Sequence, residues 1–120
     1  MNKATSIAVS LLLVGAWSTG ATVALSEEET VSRGRHFALL VCAACHVVAT
    51  DQEAPPILST PGSSFDAIAN RPETTVASLR AFLTTTHAKI TIPTGMPNPQ
   101  LVDYQIDEVI SYILSLRHKN

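Results

Sequence analysis

Residues 39–51, "LLVCAACHVVATD", decide how the rest of the chain is read, because Cys42, Cys45 and His46 fall within five positions of one another. The pattern is C-x-x-C-H. Three chemistries compete for two cysteines at this spacing: a thiol redox pair, part of a metal site, or the point of covalent attachment of a larger group. The residues on either side of the motif discriminate between them.

Upstream, residues 1–24 have the order of a secretory signal peptide: a short polar start with Lys3, an apolar run from Ile7 to Trp17, then small residues before Glu27, Glu28 and Glu29. The run is too short, and too interrupted by Ser10, Gly15 and Ser18, for a membrane span of roughly 20 apolar residues. An uncleaved anchor is the competing reading. Cleavage is expected within 21–26, with Ala24 favoured because a cut there leaves Ser26 to cap the first helix. A chain of 120 residues holds one domain, expected at 25–120, with a limited core of its own. From Leu25 onward seven basic side chains face ten acidic ones, a formal charge of −3. There is no basic run that would suggest nucleic acid or an anionic membrane surface as a partner, and no nucleic acid is expected. Without the leader, Trp17 and Met1 are gone and Met96 is the sole methionine.

Downstream the pattern is helical and nothing alternates as a strand would. The first helix is expected to begin at a capping box, Ser26 with Glu29, and to run into the motif with Val31, Gly34, Ala38 and Val41 on one side. The proline-rich "VVATDQEAPPILSTPGSS" reads as an ordered loop. A short helix comes next at "SFDAIANR", capped by Ser64 and stopped before Pro72. Another at "TTVASLRAFLTTTH" is capped by Thr74 or Thr75, with Val76, Leu79, Phe82 and Leu83 as its apolar stripe. "AKITIPTGMPNPQL" is a loop, broken by Pro93, Pro97 and Pro99 with a turn at Gly95, that presents Met96. The last helix, "VDYQIDEVISYILSLR", has Asp103 at its start, Arg117 and His118 at its end, and a wide apolar face of Ile106, Val109, Ile110, Ile113 and Leu114.

In this all-helical setting a redox pair of the thioredoxin kind lacks its βαβ context, and a zinc site lacks further cysteines and would have to borrow scattered histidines or carboxylates. Neither accounts for His46 directly after Cys45. Covalent haem attachment accounts for all three residues: sulfurs three apart on a turn can each add across a vinyl group, and the following imidazole lies beneath the iron. A plain disulfide or thiol pair is what remains against it.

On these residues, the mature part resembles a class I, monohaem cytochrome c of the small bacterial type. The likeness extends to Gly34, eight residues before Cys42, and to Tyr112 in the last helix, which match the glycine and the aromatic residue at the family's helix crossing. One turn before the first cysteine the family often has an aromatic residue, where this chain has Ala38, with Phe37 or Tyr112 as substitutes. The resemblance implies an all-α fold of three to five helices wrapped around one covalently attached haem c, carried by Cys42 and Cys45. It implies His46 and Met96 as the axial iron ligands, with His87 and His36 as the alternatives to Met96. It also implies a proline carbonyl that receives the free N–H of His46, for which Pro55 or Pro56 is expected, Pro61 being the third choice. No family tryptophan is left for the haem propionates, so Arg71, Asn70 or Thr84 to Thr86 are expected to serve.

The function implied by the resemblance is one-electron Fe(II)/Fe(III) transfer in the periplasm, by a carrier rather than an enzyme. Its partners would be redox proteins, a donor dehydrogenase or cytochrome complex and an acceptor oxidase or reductase, with a membrane involved only if the leader is retained. The alternatives are the haem subunit of a periplasmic oxidoreductase and a gas-binding haem sensor.

Overall fold

The computed structural model describes residues 25–85 and 96–118. The leader at 1–24 and, within the methionine loop, Thr86, His87, Pro93 and Gly95 lie outside the described residues. The described part holds four helices, α1 (Glu27–Val41), α2 (Phe65–Ala69), α3 (Val76–Thr84) and α4 (Asp103–Ser115). It has no strand, only an isolated parallel bridge between His46 and Gly62. The all-α expectation holds.

Each helix starts where a side chain can satisfy an otherwise orphaned backbone N–H. Ser26 Oγ accepts from the Glu29 N–H at 3.2 Å, with three glutamates in the first turn of α1. The box expected there is only half made, because the Glu29 carboxylate turns to Arg33 at 3.0 Å. Ser64 Oγ takes the Ala67 N–H at 3.1 Å and starts α2. Thr75, not Thr74, caps α3, and Ser78 returns the bond, accepting from the Thr75 N–H at 2.8 Å. Thr74 is buried instead, its hydroxyl donating to the Ile68 carbonyl at 2.6 Å. Val102 has no acceptor to offer α4, and Gln105 compensates from inside the helix by accepting the Val102 N–H at 3.1 Å.

The core forms where α4 lies along α1 and touches α2 and α3. Ile106, Val109, Ile110, Tyr112 and Ile113 are buried on α4, facing Ala38, Val48, Phe65, Ala69, Leu79 and Leu83. α1 contributes only its two smallest side chains to the fully buried set, Gly34 and Ala38. A Cβ on Gly34 would stand 1.9 Å from the Glu108 carbonyl oxygen and 2.9 Å from Tyr112 Cβ, so glycine here is what lets two helix backbones touch. Ala38, in place of an aromatic, is completely buried in the same seam, with Phe37 half-buried beside it.

Two apolar expectations change. Val41 ends α1 half exposed, because the chain turns away from the core there, and the α3 stripe narrows to Leu79 and Leu83, leaving Val76 and Phe82 at 54% and 40% exposure. At the far end, Arg117 does more than balance the helix dipole. Its guanidinium donates to the Ala69 carbonyl at 3.0 Å and the Thr74 carbonyl at 2.6 Å, fastening the end of α4 over α2. Arg80 pairs with Asp107 and ties α3 to α4.

Gly34→Ala should therefore cost about 2 kcal/mol, the usual penalty for forcing a methyl into a closed contact. Denaturant unfolding of the purified protein measures it; an unchanged midpoint would mean that the two backbones do not meet at this point.

Candidate functional site

α1 delivers the motif. Cys42 is its C-cap, donating its N–H to the Ala38 carbonyl at 2.8 Å, and one further turn is closed by the Cys45 and His46 N–H groups on the Cys42 carbonyl at 3.1 and 2.9 Å. The two cysteines thus stand a turn apart just beyond the helix, not inside it. Both are free thiols. Burial, with a smaller contribution from Cys45, pushes the Cys42 thiol up to about 11. A redox-active C-x-x-C pair needs the opposite shift, toward the thiolate. Among the described residues no group of three or more His, Cys, Asp or Glu side chains could hold a metal ion.

His46 is fixed from several sides. Its Nδ1 lies 2.8 Å from the Ser63 carbonyl. A carbonyl only accepts, so Nδ1 is the donor in this contact, which leaves Nε2 as the ring nitrogen turned away from the Ser63 bond. The acceptor is thus Ser63 rather than the expected Pro55 or Pro56. The reason is topological: the Gly62 N–H bonds the Cys45 carbonyl at 2.8 Å and the Phe65 N–H bonds the Val47 carbonyl at 2.9 Å, which brings residues 62–65 alongside the motif. The proline pair is carried elsewhere, with the next residue, Ile57, donating to the Ala44 carbonyl at 2.9 Å. Gly62 is the floor of this cradle, since a Cβ there would meet His46 Cε1 at 2.5 Å and Nδ1 at 2.8 Å. The ring also rests against Phe65, centroids 5.7 Å apart, and Phe65 against Tyr112 at 6.3 Å.

The loop after the motif is strung to the scaffold. Gln52 accepts the Val48 N–H at 2.7 Å, and Tyr112 donates its buried hydroxyl to the Val48 carbonyl at 2.7 Å. Arg35 grips both oxygens of Asp51 at 2.7 Å, which holds that carboxyl below its ordinary value.

Met96 is half-buried and packs against the same apolar cluster as Cys42. Its loop is braced on the far side, where the Asn98 side chain accepts the Gln100 N–H at 2.8 Å and helps hold Gln100 at φ 52°. Among the expected propionate donors, the Asn70 side chain is turned to the Asp66 carbonyl at 2.8 Å and Arg71 to the Ser63 hydroxyl at 2.7 Å. The Thr84 and Thr85 hydroxyls bond carbonyls of their own helix at 2.9 and 2.8 Å. Gly62 and Ser63 do not stand out in the sequence. "TPGSS" marks a turn, but a carbonyl that receives a proton carries no residue-type signature.

Two free cysteines one turn apart, followed by an imidazole whose Nδ1 is held on a backbone carbonyl and whose ring is clamped, form a donor set that fits covalent haem. The model of the cytochrome c family matches residues 31–117, nearly the whole of the described fold, and the chain belongs to that family. No curated protein and no solved structure matches the chain. Membership brings with it covalently bound haem c and a role in haem-based electron transfer.

The cradle and its tether each yield an expected outcome. Gly62→Ala should displace the His46 imidazole and with it change the haem absorption spectrum; a wild-type spectrum would mean the ring does not lie over Gly62. The Arg35–Asp51 pair lends stability that is complete above the ordinary carboxylate range near pH ~4 and is lost as pH falls through the lowered value. Acid unfolding of Asp51→Asn should accordingly lose part of its pH dependence below about pH 4 and match wild type at the lowest pH.

Proposed function

We propose that the chain is a class I, monohaem cytochrome c of the small bacterial type, a diffusible one-electron carrier of the periplasm. Cys42 and Cys45 hold the haem, and His46 and Met96 are its axial ligands. Bound by these residues, the haem would supply an Fe(II)/Fe(III) couple, and a thioether ligand from Met96 would raise its potential. The observation that carries the reading is the clamped imidazole, tied at Nδ1 to Ser63 and seated on Gly62, since a ring held through one nitrogen presents the other in a fixed direction.

The chain's own residues account for how such a site works. The Cys42–His46 turn, continuous with α1, would carry the macrocycle through its two sulfurs. The Ser63 carbonyl holds the ring plane of His46, and a fixed ligand lets the iron change charge with little rearrangement. Support for Met96 comes from its half-buried place at the border of the core and from the braced loop beyond it; a methionine that merely fills space needs no such bracing. Support for export comes from the N-terminal pattern of residues 1–24 and from Ser26, which caps α1 just past the favoured cleavage point at Ala24. The partners are taken to be redox proteins whose docking faces are not strongly acidic, given the formal charge of −3 from Leu25 onward.

Absorption spectra of the protein purified from a periplasmic fraction, oxidised and reduced, test the assignment. The pigment should stay with the polypeptide in acidified solvent, and the oxidised protein should show a methionine-to-iron charge-transfer band that vanishes in Met96→Ala. Pigment that extracts would overturn covalent attachment. A band that is missing from wild type, or that survives in Met96→Ala, would overturn the sixth ligand.

A further inference from the structure

The histidine clamp does not end at the carbonyl. Ser63 accepts the Nδ1 proton of His46 with its backbone oxygen at 2.8 Å, and with its hydroxyl it accepts from Arg71 Nη2 at 2.7 Å. One residue thus touches the iron's imidazole on one side and a guanidinium on the other. Arg71 is itself positioned. It comes just after α2, its N–H bonds the Ile68 carbonyl at 3.3 Å, its carbonyl takes the Thr74 N–H at 3.1 Å, and Pro72 fixes the backbone after it. Ser63 is bounded by the Gly62 and Phe65 tethers to residues 45 and 47. Among the described residues, the contact that brings a full charge to residues 62–65 is the one from Arg71.

We propose that Arg71 is a positioning residue for the axial histidine: by fixing Ser63 it holds a permanent cation beside the His46 hydrogen bond, and so sets the reduction potential of the haem. The inference rests on His46 as an iron ligand. The physical argument is electrostatic. A positive charge close to the ligand disfavours the ferric form, which carries one charge more than the ferrous, and so favours reduction. Arginine suits the place because it stays charged at every pH the protein meets and its planar fork holds direction. Arg71 and Ser63 are both exposed, so the effect is open to screening by salt. A contact that acted only by packing would not be.

Redox titration of the haem-loaded protein, with its spectrum recorded alongside, tests this in wild type, Arg71→Gln, Ser63→Ala and the double variant. All should keep the low-spin spectrum, because the Ser63 carbonyl is backbone and survives the substitution. Arg71→Gln should lower the potential, changing the ferrous-to-ferric ratio at fixed poise by roughly threefold to tenfold, tenfold being about 59 mV for one electron. That gap should shrink as ionic strength rises. Ser63→Ala should shift the potential in the same direction, and the double variant should go no further than Arg71→Gln. A potential unchanged in Arg71→Gln overturns the inference. So do fully additive effects of the two substitutions, which would put the action of Arg71 on some other group, such as a propionate. A wild-type protein without a histidine-ligated spectrum would remove the His46 assignment itself, and is distinguishable because it is seen before any substitution is made.

Discussion

The contact on which the other features depend is the one between the backbones of α1 and α4 at Gly34. With no Cβ in the way, the carbonyl of Glu108 comes against α1, and the only buried side chain that α1 adds nearby is Ala38. A seam made of such small residues leaves little freedom in how the two helices lie. The C-terminal end of α1 is therefore aimed, and the Cys42–His46 turn that continues from it is aimed with it. Tyr112, whose Cβ borders the same glycine, donates its hydroxyl to Val48 on the loop beyond the motif. One crossing thus positions the attachment turn from both ends.

Around that crossing the site is built largely from backbone groups. Carbonyls of Ser63, Cys45, Val47 and Val48 hold the histidine or the stretches of loop beside it, and side chains such as Gln52, Arg35 and Arg71 secure the peptides that carry them. The arrangement suits a protein whose iron must change charge without its ligands moving. Backbone groups anchored at several points offer a stiff polar environment, where a free side chain would reorient with each electron.

The same division separates what is legible in the sequence from what is not. Ser26, Ser64 and Thr75 begin helices because hydroxyls accept backbone protons, and that chemistry is visible in the residue letter; so are the missing Cβ of Gly34 and the C-x-x-C-H spacing. The apolar face of α4 is also plain, because it repeats along the helix. The acceptor for His46 is not. Prolines stand out in the loop, yet the proton goes to Ser63, and nothing in the letter S distinguishes its carbonyl from any other. Arg117 is equally hidden: its charge suggests a helix-end role, whereas its partners are two carbonyls, of Ala69 and Thr74, 48 and 43 residues earlier. The outward Val76 shows the remaining limit, that a stripe on a helical wheel marks which side chains could be buried and not how many neighbours arrive to cover them.

The bond from Tyr112 to Val48 joins residues 64 apart in the chain, and the glycine seam joins Gly34 to Glu108. Both partners on the far side belong to α4, which is synthesised after α1 and the motif. Closing so long a loop has an entropic cost that local turns do not carry, and contacts of this span form late. The helix caps and the turn at Cys42 can form from neighbouring residues alone, while the enclosure of the motif waits for α4. The nascent chain therefore passes through a stage in which its two thiols are in place on the turn, before α4 fastens the loop beyond them.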